Sequence, residues 1–244
     1  MRLKPLRNRI FNYLSFFLYS GKGFYGRPLS EAWGVPLWTA STLLRASEKA
    51  QHLLDSGRLV DCQLVSHTIV NFLHEQQQQT MAKSTFSAFV MDGFPRTRHQ
   101  IDLMEKEWPS QWHVSHAVLL DVPQAVSIAK IGGRRFCGKC QRHYNTAGYF
   151  EGKFDLPPIL PATIPCDYDT SCHPETHWQV RADDVDAGIV RQRLQEHQQH
   201  EQPIIDYYEA RGRLLRYTPY HGSRDLDDMR QTIERWMQET SDDS

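Results

Sequence analysis

Apolar residues gather in short runs at 10–18, 87–91, 117–120 and 214–217, each bounded by turn residues and separated from the next by stretches of helical periodicity. Short runs of this kind suit parallel strands, because crossover helices bury both faces of the sheet and leave no polar side to alternate with. Helices are predicted over 42–54, 61–75, 97–107, 123–131, 185–210 and 225–238, with Asp61 and Asp225 placed as caps. The fold class that follows is α/β, a doubly wound parallel sheet. The run of Gln at 76–79 is read as a solvated loop between a helix and a strand. The stretch 136–180 differs, being rich in Pro, Cys, Tyr and His with little periodicity. An irregular segment of that length inside a compact domain points to a functional lid or a metal-stapled insert.

Composition narrows the function classes. With 244 residues, 40% hydrophobic and 23% charged, the chain can build one sizeable core plus inserted subdomains. A net charge of -1 gives no general attraction to nucleic acid or to a membrane surface, so any anion site must be a local cluster. Five Cys are too few for a disulfide scaffold, and Cys137, Cys140, Cys166 and Cys172 fall within 36 residues, which points to a metal or a reducing, cytoplasmic compartment. No apolar run reaches the roughly 18 residues that span a bilayer. The residues before Glu31 include Arg2, Lys4, Arg7, Arg9, Lys22 and Arg27 and no acid. That pattern suits either a mitochondrial presequence or a basic terminus leading into the first strand.

The strand at 87–91 runs into Asp92-Gly93-Phe94-Pro95-Arg96-Thr97. This places a carboxylate, a Gly turn and a guanidinium at the C-terminal edge of the sheet, where open α/β folds bind their ligands. An Asp there can hold hydrated Mg2+, and Arg96 can fork onto a phosphate. A plain strand-to-helix connection with a salt-bridged Arg would look the same in isolation.

Further segments follow in order: Gln100, then Gly133-Arg134-Arg135 before the first Cys pair, Arg181-Ala182-Asp183-Asp184 after the insert, and Pro203-Ile204-Ile205-Asp206-Tyr207-Tyr208. In this order and at this spacing the chain resembles the adenylate kinase family from about Ser20 to Tyr217. The resemblance implies a P-loop kinase fold with an AMP-side helical flap and a Cys-bearing lid. The implied division is a core of 1–37, 69–132 and 185–244, a flap of 38–68 and a lid of 133–184. It further implies a monomer that binds ATP and AMP with Mg2+ and transfers a phosphoryl group between the two nucleotides. Such chemistry needs many cations around one anionic cluster and the exclusion of water.

By the same resemblance, Arg45 and Arg96 grip the AMP phosphate, with Gly93 in the turn between strand and Arg96. Gln100 reads the adenine edge, and Arg58 and Val60 cover the AMP base and ribose. Asp92 positions the water shell of Mg2+, Arg134 meets the ATP phosphates, and Arg181 and Arg193 close on the transferring group, with Arg191 as an alternative to Arg193. Lys130 stands where the family commonly has Arg on the ATP side. It keeps the charge but lacks the planar fork that stacks on adenine, so weaker ATP binding is expected.

The phosphate loop departs from the family. Ser20-Gly21-Lys22-Gly23 keeps its last part, but Phe16 and Tyr19 stand where the family has Gly, and Phe24 replaces a Thr. A bulky residue there either clashes with the nucleotide or forces a different loop path. Lys22 is still read as the phosphate lysine, with Gly21 and Gly23 beside it, because Leu29-Ser30 and Gly34-Val35-Pro36 follow at the family's spacing. Two explanations are open: an aberrant start over 1–19 joined to a normal kinase body, or decay toward nucleotide binding without turnover. Pro28 is expected to kink the first helix.

Cys137 and Cys140, a gap of 25 residues, then Cys166 and Asp169 have the spacing of a tetrahedral structural Zn2+ site, with Cys172 and His173 as competing ligands. A metal-free lid is the alternative. The histidines show no pairing and are read as exposed or capping, and Cys62 as a small filler at a helix start.

Overall fold

The computed structural model describes residues 14–17, 22–47, 60–80, 88–140, 142–161, 174–180, 182–185 and 187–242. Strand β1 (Leu14–Phe17) precedes helix α1 (Lys22–Trp33), β2 (Leu37–Thr39), α2 (Ala40–Ala46), α3 (Cys62–Thr80), β3 (Val90–Asp92), α4 (Arg98–Glu107), β4 (His116–Leu120) and α5 (Gln124–Gly132). Short strands follow: β5 (Arg134–Cys137), β6 (His143–Asn145), β7 (Tyr149–Glu151), β8 (Phe154–Leu156) and β9 (Trp178–Gln179). The chain then forms α6 (Ala182–Val185), α7 (Ala187–Glu209), β10 (Leu214–Tyr217) and α8 (Leu226–Asp242).

The main sheet has the order β10-β4-β1-β3-β2, and every pair in it is parallel. β1 lies in the middle. From it the chain extends one way to β3 and β2 and the other way to β4 and β10, so the topological switch falls at the C-terminal end of β1. Phe16 and Thr39 both stand opposite Asp92 in register, which brings three strand ends to one edge.

Alternation along the strands feeds two cores. Phe89, Met91 and Ala117 pack with Leu43 and Leu44 of α2, Ile69 and Leu73 of α3, Ile101 and Met104 of α4, and Tyr208 of α7. Val90, Val118 and Leu120 pack with Tyr25 and Leu29 of α1 and with Met229, Ile233 and Met237 of α8. Successive residues point to opposite faces and both faces are covered, which is why the runs read as continuous apolar stretches.

Several local expectations change. Helix α2 starts at Ala40, two residues before the predicted start, because Thr39 Oγ1 accepts the Thr42 N–H at 3.1 Å. Its predicted extension to residue 54 lies outside the described residues beyond 47. Asp61 does cap α3, its Oδ1 accepting from the N–H groups of Gln63 and Leu64 at 2.7 and 3.2 Å. The Gln run at 76–79 is helix rather than loop, since Gln is a good helix former that needs no apolar face to extend an existing turn. Asp225 does not cap α8. Its carboxylate accepts the His221 N–H, and the single turn 222–225 runs directly into the helix. Helix α1 continues through Pro28 to Trp33. The region expected to be irregular contains a small antiparallel sheet, β6-β5-β9, and the hairpin β7-β8. No helix among the described residues is long and apolar enough to cross a membrane.

Candidate active site

β3 delivers Asp92, 7% exposed, to the shared edge of the sheet. The chain turns at Gly93, whose φ of +79° disfavours any side chain. A Cβ there would also make Arg96 shift its guanidinium, whose Nη2 would lie 2.9 Å away and whose Nε donates to the Gly93 carbonyl at 2.8 Å. Phe94 anchors the turn, fully buried and stacked on Trp108 with ring centroids 5.0 Å apart, and the Phe94-Pro95 peptide is cis. Arg96 is thereby held at its base while the residue stays exposed.

The backbone N–H of Arg96 donates to Oε1 of Gln100 at 2.7 Å. Thr97 Oγ1 accepts the Gln100 N–H at 3.1 Å and caps α4, and Gln100 is only 5% exposed. With Oε1 committed, the amide presents its Nε2 hydrogens as the donors for a ligand. Arg45 is exposed in the last turn of α2, the helix that begins beside Thr39 and hence next to Asp92 in register. Val60 is half-buried against the first core.

On the other side of the switch point, Lys22 is the first residue of α1, the next described element after β1, and a helix N-terminus favours an anion. Gly23 follows Lys22 in the first turn of α1; the side chains of Lys22 and Arg193 are outside the described residues, as are Gly21, Arg58 and Arg181 entirely. Phe24 is half-buried against the second core, edge-on to Tyr25 with centroids 5.0 Å apart.

Where the short strands begin, Arg134 Nη1 lies 3.1 Å from Oδ2 of Asp184. Gly133 just before it has no room for a side chain: a Cβ would meet Asn145 Oδ1 and the Cβ of Ala147 at 2.4 Å each. Lys130, expected on the donor side, turns its ammonium to backbone carbonyls. Its Nζ donates to the carbonyls of Ala147, Leu156 and Pro157 at 2.8, 3.2 and 3.1 Å, which accounts for all three ammonium protons. Burial lowers its pKa to about 8, so it stays largely protonated at neutral pH.

Cys137 is fully buried at the end of β5, and its Sγ accepts the Cys140 N–H at 3.4 Å. A tight turn that presents two sulfurs and an amide-to-sulfur bond fits half of a tetrahedral thiolate site. Cys166 and Asp169, with the alternatives Cys172 and His173, lie outside the described residues. Among the described residues no three His, Cys, Asp or Glu side chains converge.

The profile of the adenylate kinase family matches residues 19–213. The chain belongs to this family. It is 30% identical over 207 residues to an adenylate kinase of Thermotoga neapolitana, an alignment covering 81% of this chain and 84% of that protein. It is 28% identical over 217 residues to a GTP:AMP phosphotransferase of Plasmodium falciparum, covering 85% and 89% of the two chains. An adenylate kinase of Solanum tuberosum is 30% identical over 206 residues, covering 81% and 67%.

Membership makes the protein a nucleoside monophosphate kinase, a phosphotransferase. Two features of its site are not evident from the sequence reading. Asp184 stands there only as part of a motif, and nothing local tells which of Asp183 and Asp184 turns toward Arg134. The helix cap at Thr39 does carry a signal, a hydroxyl residue ahead of an apolar helical pattern.

Proposed function

We propose that this adenylate kinase family member catalyses reversible, Mg2+-dependent transfer of the γ-phosphoryl group of ATP to AMP, giving two ADP. One observation carries the reading: the Arg96 N–H and the Gln100 carboxamide share a hydrogen bond of 2.7 Å, which couples a phosphate-binding guanidinium to a base-reading amide on one capped turn. The bond from the γ-phosphorus to the β,γ-bridging oxygen breaks as one forms to an AMP phosphate oxygen, and no covalent enzyme intermediate is needed.

In this reading Arg45 and Arg96 hold the AMP phosphate, and Gln100 donates to the adenine ring. Arg58 and Val60 cover the nucleoside. Gly21, Lys22, Gly23 and Arg134 neutralise the donor phosphates, while Arg181 and Arg193 close on the transferring group. Asp92 would hold the water shell of an Mg2+ bound with ATP, which would supply charge neutralisation at the phosphates. The supporting architecture is a doubly wound core of 1–37, 69–132 and 185–244, with a flap over 38–68 and a lid over 133–184. Cys137 and Cys140, joined by Cys166 and Asp169, would hold a structural Zn2+ that staples the lid and takes no part in the chemistry. The family resemblance favours a monomer and cysteine usage the cytoplasm, with the basic N-terminal stretch supporting a mitochondrial alternative.

The test is ADP formation from ATP and AMP, measured beside GTP as donor and UMP and CMP as acceptors. Arg96→Ala should lower turnover by about a thousandfold, the scale of an arginine acting on the transition state of phosphoryl transfer. Retention of most activity would remove the site assignment. A second reading, nucleotide binding without turnover, is favoured by the sequence, where Phe16 and Tyr19 stand at positions the family's phosphate loop fills with Gly. Activity that appears only when residues 1–19 are replaced by an intact loop would mark that segment as the defect.

A further inference from the structure

The hairpin β7-β8 joins two parts of the molecule that are far apart in sequence. Its neck is held by Lys130 at the end of α5, whose Nζ reaches the Ala147 carbonyl just before the hairpin and the Leu156 and Pro157 carbonyls just where the chain leaves it. The Lys130 carbonyl in turn accepts from Asn145 Nδ2 at 2.8 Å, and the Gly133 carbonyl accepts the Thr146 N–H at 2.8 Å. The segment 130–133 that leads into Arg134 is therefore bonded to the hairpin's base at both of its ends.

The other end of the hairpin sits on the connection after β10. The Asp155 N–H donates to the Tyr220 carbonyl at 2.8 Å, and Arg224 Nη2 donates to the Asp155 carbonyl at 2.9 Å and to its Oδ2 at 2.6 Å. Phe154 lies against Tyr220 with ring centroids 5.1 Å apart. That connection follows an edge strand of the main sheet, so the hairpin bridges the sheet and the root of the short-strand region.

We propose that Lys130 is a positioning residue: by gathering three carbonyls at the neck of β7-β8 it locks the hairpin as a brace between the core and the lid root, and so sets where Arg134 meets the donor phosphates. This rests on the assignment of Arg134 to those phosphates. A compact ammonium suits three acceptors that converge on a point, whereas the planar guanidinium of Arg does not. Lys at this position thus serves the brace rather than the donor base.

The deciding variant is Lys130→Arg in the full chain, because the two roles give opposite signs. For the brace, the KM for ATP should rise at least about fivefold, the KM for AMP should stay within about twofold, and amide exchange should quicken at 149–156 and 217–225. An ATP KM that is unchanged or lower overturns the proposal, since a direct contact with the donor would gain from the guanidinium. A raised ATP KM with unchanged exchange also overturns it.

Asp155→Ala acts at the far end and touches only exposed groups, so folding is not at risk; it should raise the ATP KM by about twofold with the same pattern of exchange, a small effect in keeping with an exposed ion pair. No change in either quantity counts against the brace. Arg134→Ala separates the two levels of argument. If it leaves turnover intact, the donor assignment fails; if it removes turnover while Lys130→Arg leaves the ATP KM unaltered, only the brace fails.

Discussion

Arg134 Nη1 stands 3.1 Å from Oδ2 of Asp184, a carboxylate with no exposed side-chain surface facing a guanidinium that keeps 25% of its own. Arg134 opens β5 and Asp184 lies in α6, so the pair ties together the two ends of the short-strand region. A carboxylate in that place turns the guanidinium in one direction and partly offsets its charge, leaving a cation whose position is set by the protein itself.

Asp184→Asn keeps the volume and removes the charge. Breaking a fully buried pair costs on the order of 3 kcal/mol, and the partial exposure of Arg134 brings the expected loss to about 2 kcal/mol. Urea unfolding should show the midpoint falling at constant slope, and turnover at a temperature where the variant is folded should fall about tenfold. An unaltered midpoint with unaltered turnover would mean that the pair neither holds the fold nor sets Arg134.

The Arg96 and Gln100 bond makes a directional claim about the acceptor base. Gln100→Glu keeps an oxygen for the Arg96 N–H but replaces the Nε2 donor with an acceptor, which repels an adenine ring nitrogen. The KM for AMP should rise at least about tenfold while the KM for ATP stays within about twofold, consistent with a buried polar group left mismatched. Equal effects on both nucleotides would place Gln100 outside the acceptor pocket.

Much of this architecture was legible because burial on both faces writes itself as short apolar runs. Phe89, Val90 and Met91 alternate between two cores, yet all three are apolar. The candidate acceptor residues could be grouped for a different reason: Asp92, Gly93, Arg96 and Gln100 are close in sequence, running from the end of β3 through one turn into the start of α4. The role of Lys130 was not legible, since its acceptors lie 17, 26 and 27 residues downstream and are backbone carbonyls, which any residue supplies. The strands β6, β7 and β8 have three residues each, too few for a period of two to show. The Gln run at 76–79 misleads because its polarity resembles that of a loop, whereas an established helix extends through Gln at little cost.

The turn at Cys137 and Cys140 bears on metal content. If the lid carries structural Zn2+, purified protein should hold about one equivalent per chain, and a chelator should lower its melting temperature, because metal affinity is coupled to folding of the site. Cys137→Ser should lose the metal and reproduce the chelated melting curve without changing the KM for AMP. Zinc below about 0.2 equivalents, with no response to chelator, would leave a lid held by its hydrogen bonds alone.

His116 corrects the expectation that the histidines are exposed, and it gives a pH signature. It is 2% exposed at the start of β4, with Arg213 Nη1 donating to its Nε2 at 2.7 Å, Thr240 Oγ1 at 3.1 Å from the same nitrogen and Ser115 Oγ at 2.8 Å from Nδ1. Because a guanidinium carries no acceptor atom, Nε2 must be the lone-pair nitrogen and the ring is neutral with its proton on Nδ1. Burial, and then the charge of Arg213, lower the pKa from 6.5 to about 4. Between those values the unfolded chain binds a proton that the folded chain does not, so stability falls as pH drops from 6.5 toward 4 and is flat for this group above 6.5. The shift corresponds to about 3 kcal/mol. His116→Gln keeps an acceptor for Arg213 but cannot titrate. The difference in unfolding free energy between wild type and this variant, measured by urea denaturation at several pH values, should shrink or reverse by that amount on acidification, whereas a difference constant across the window would show that His116 is not the titrating group.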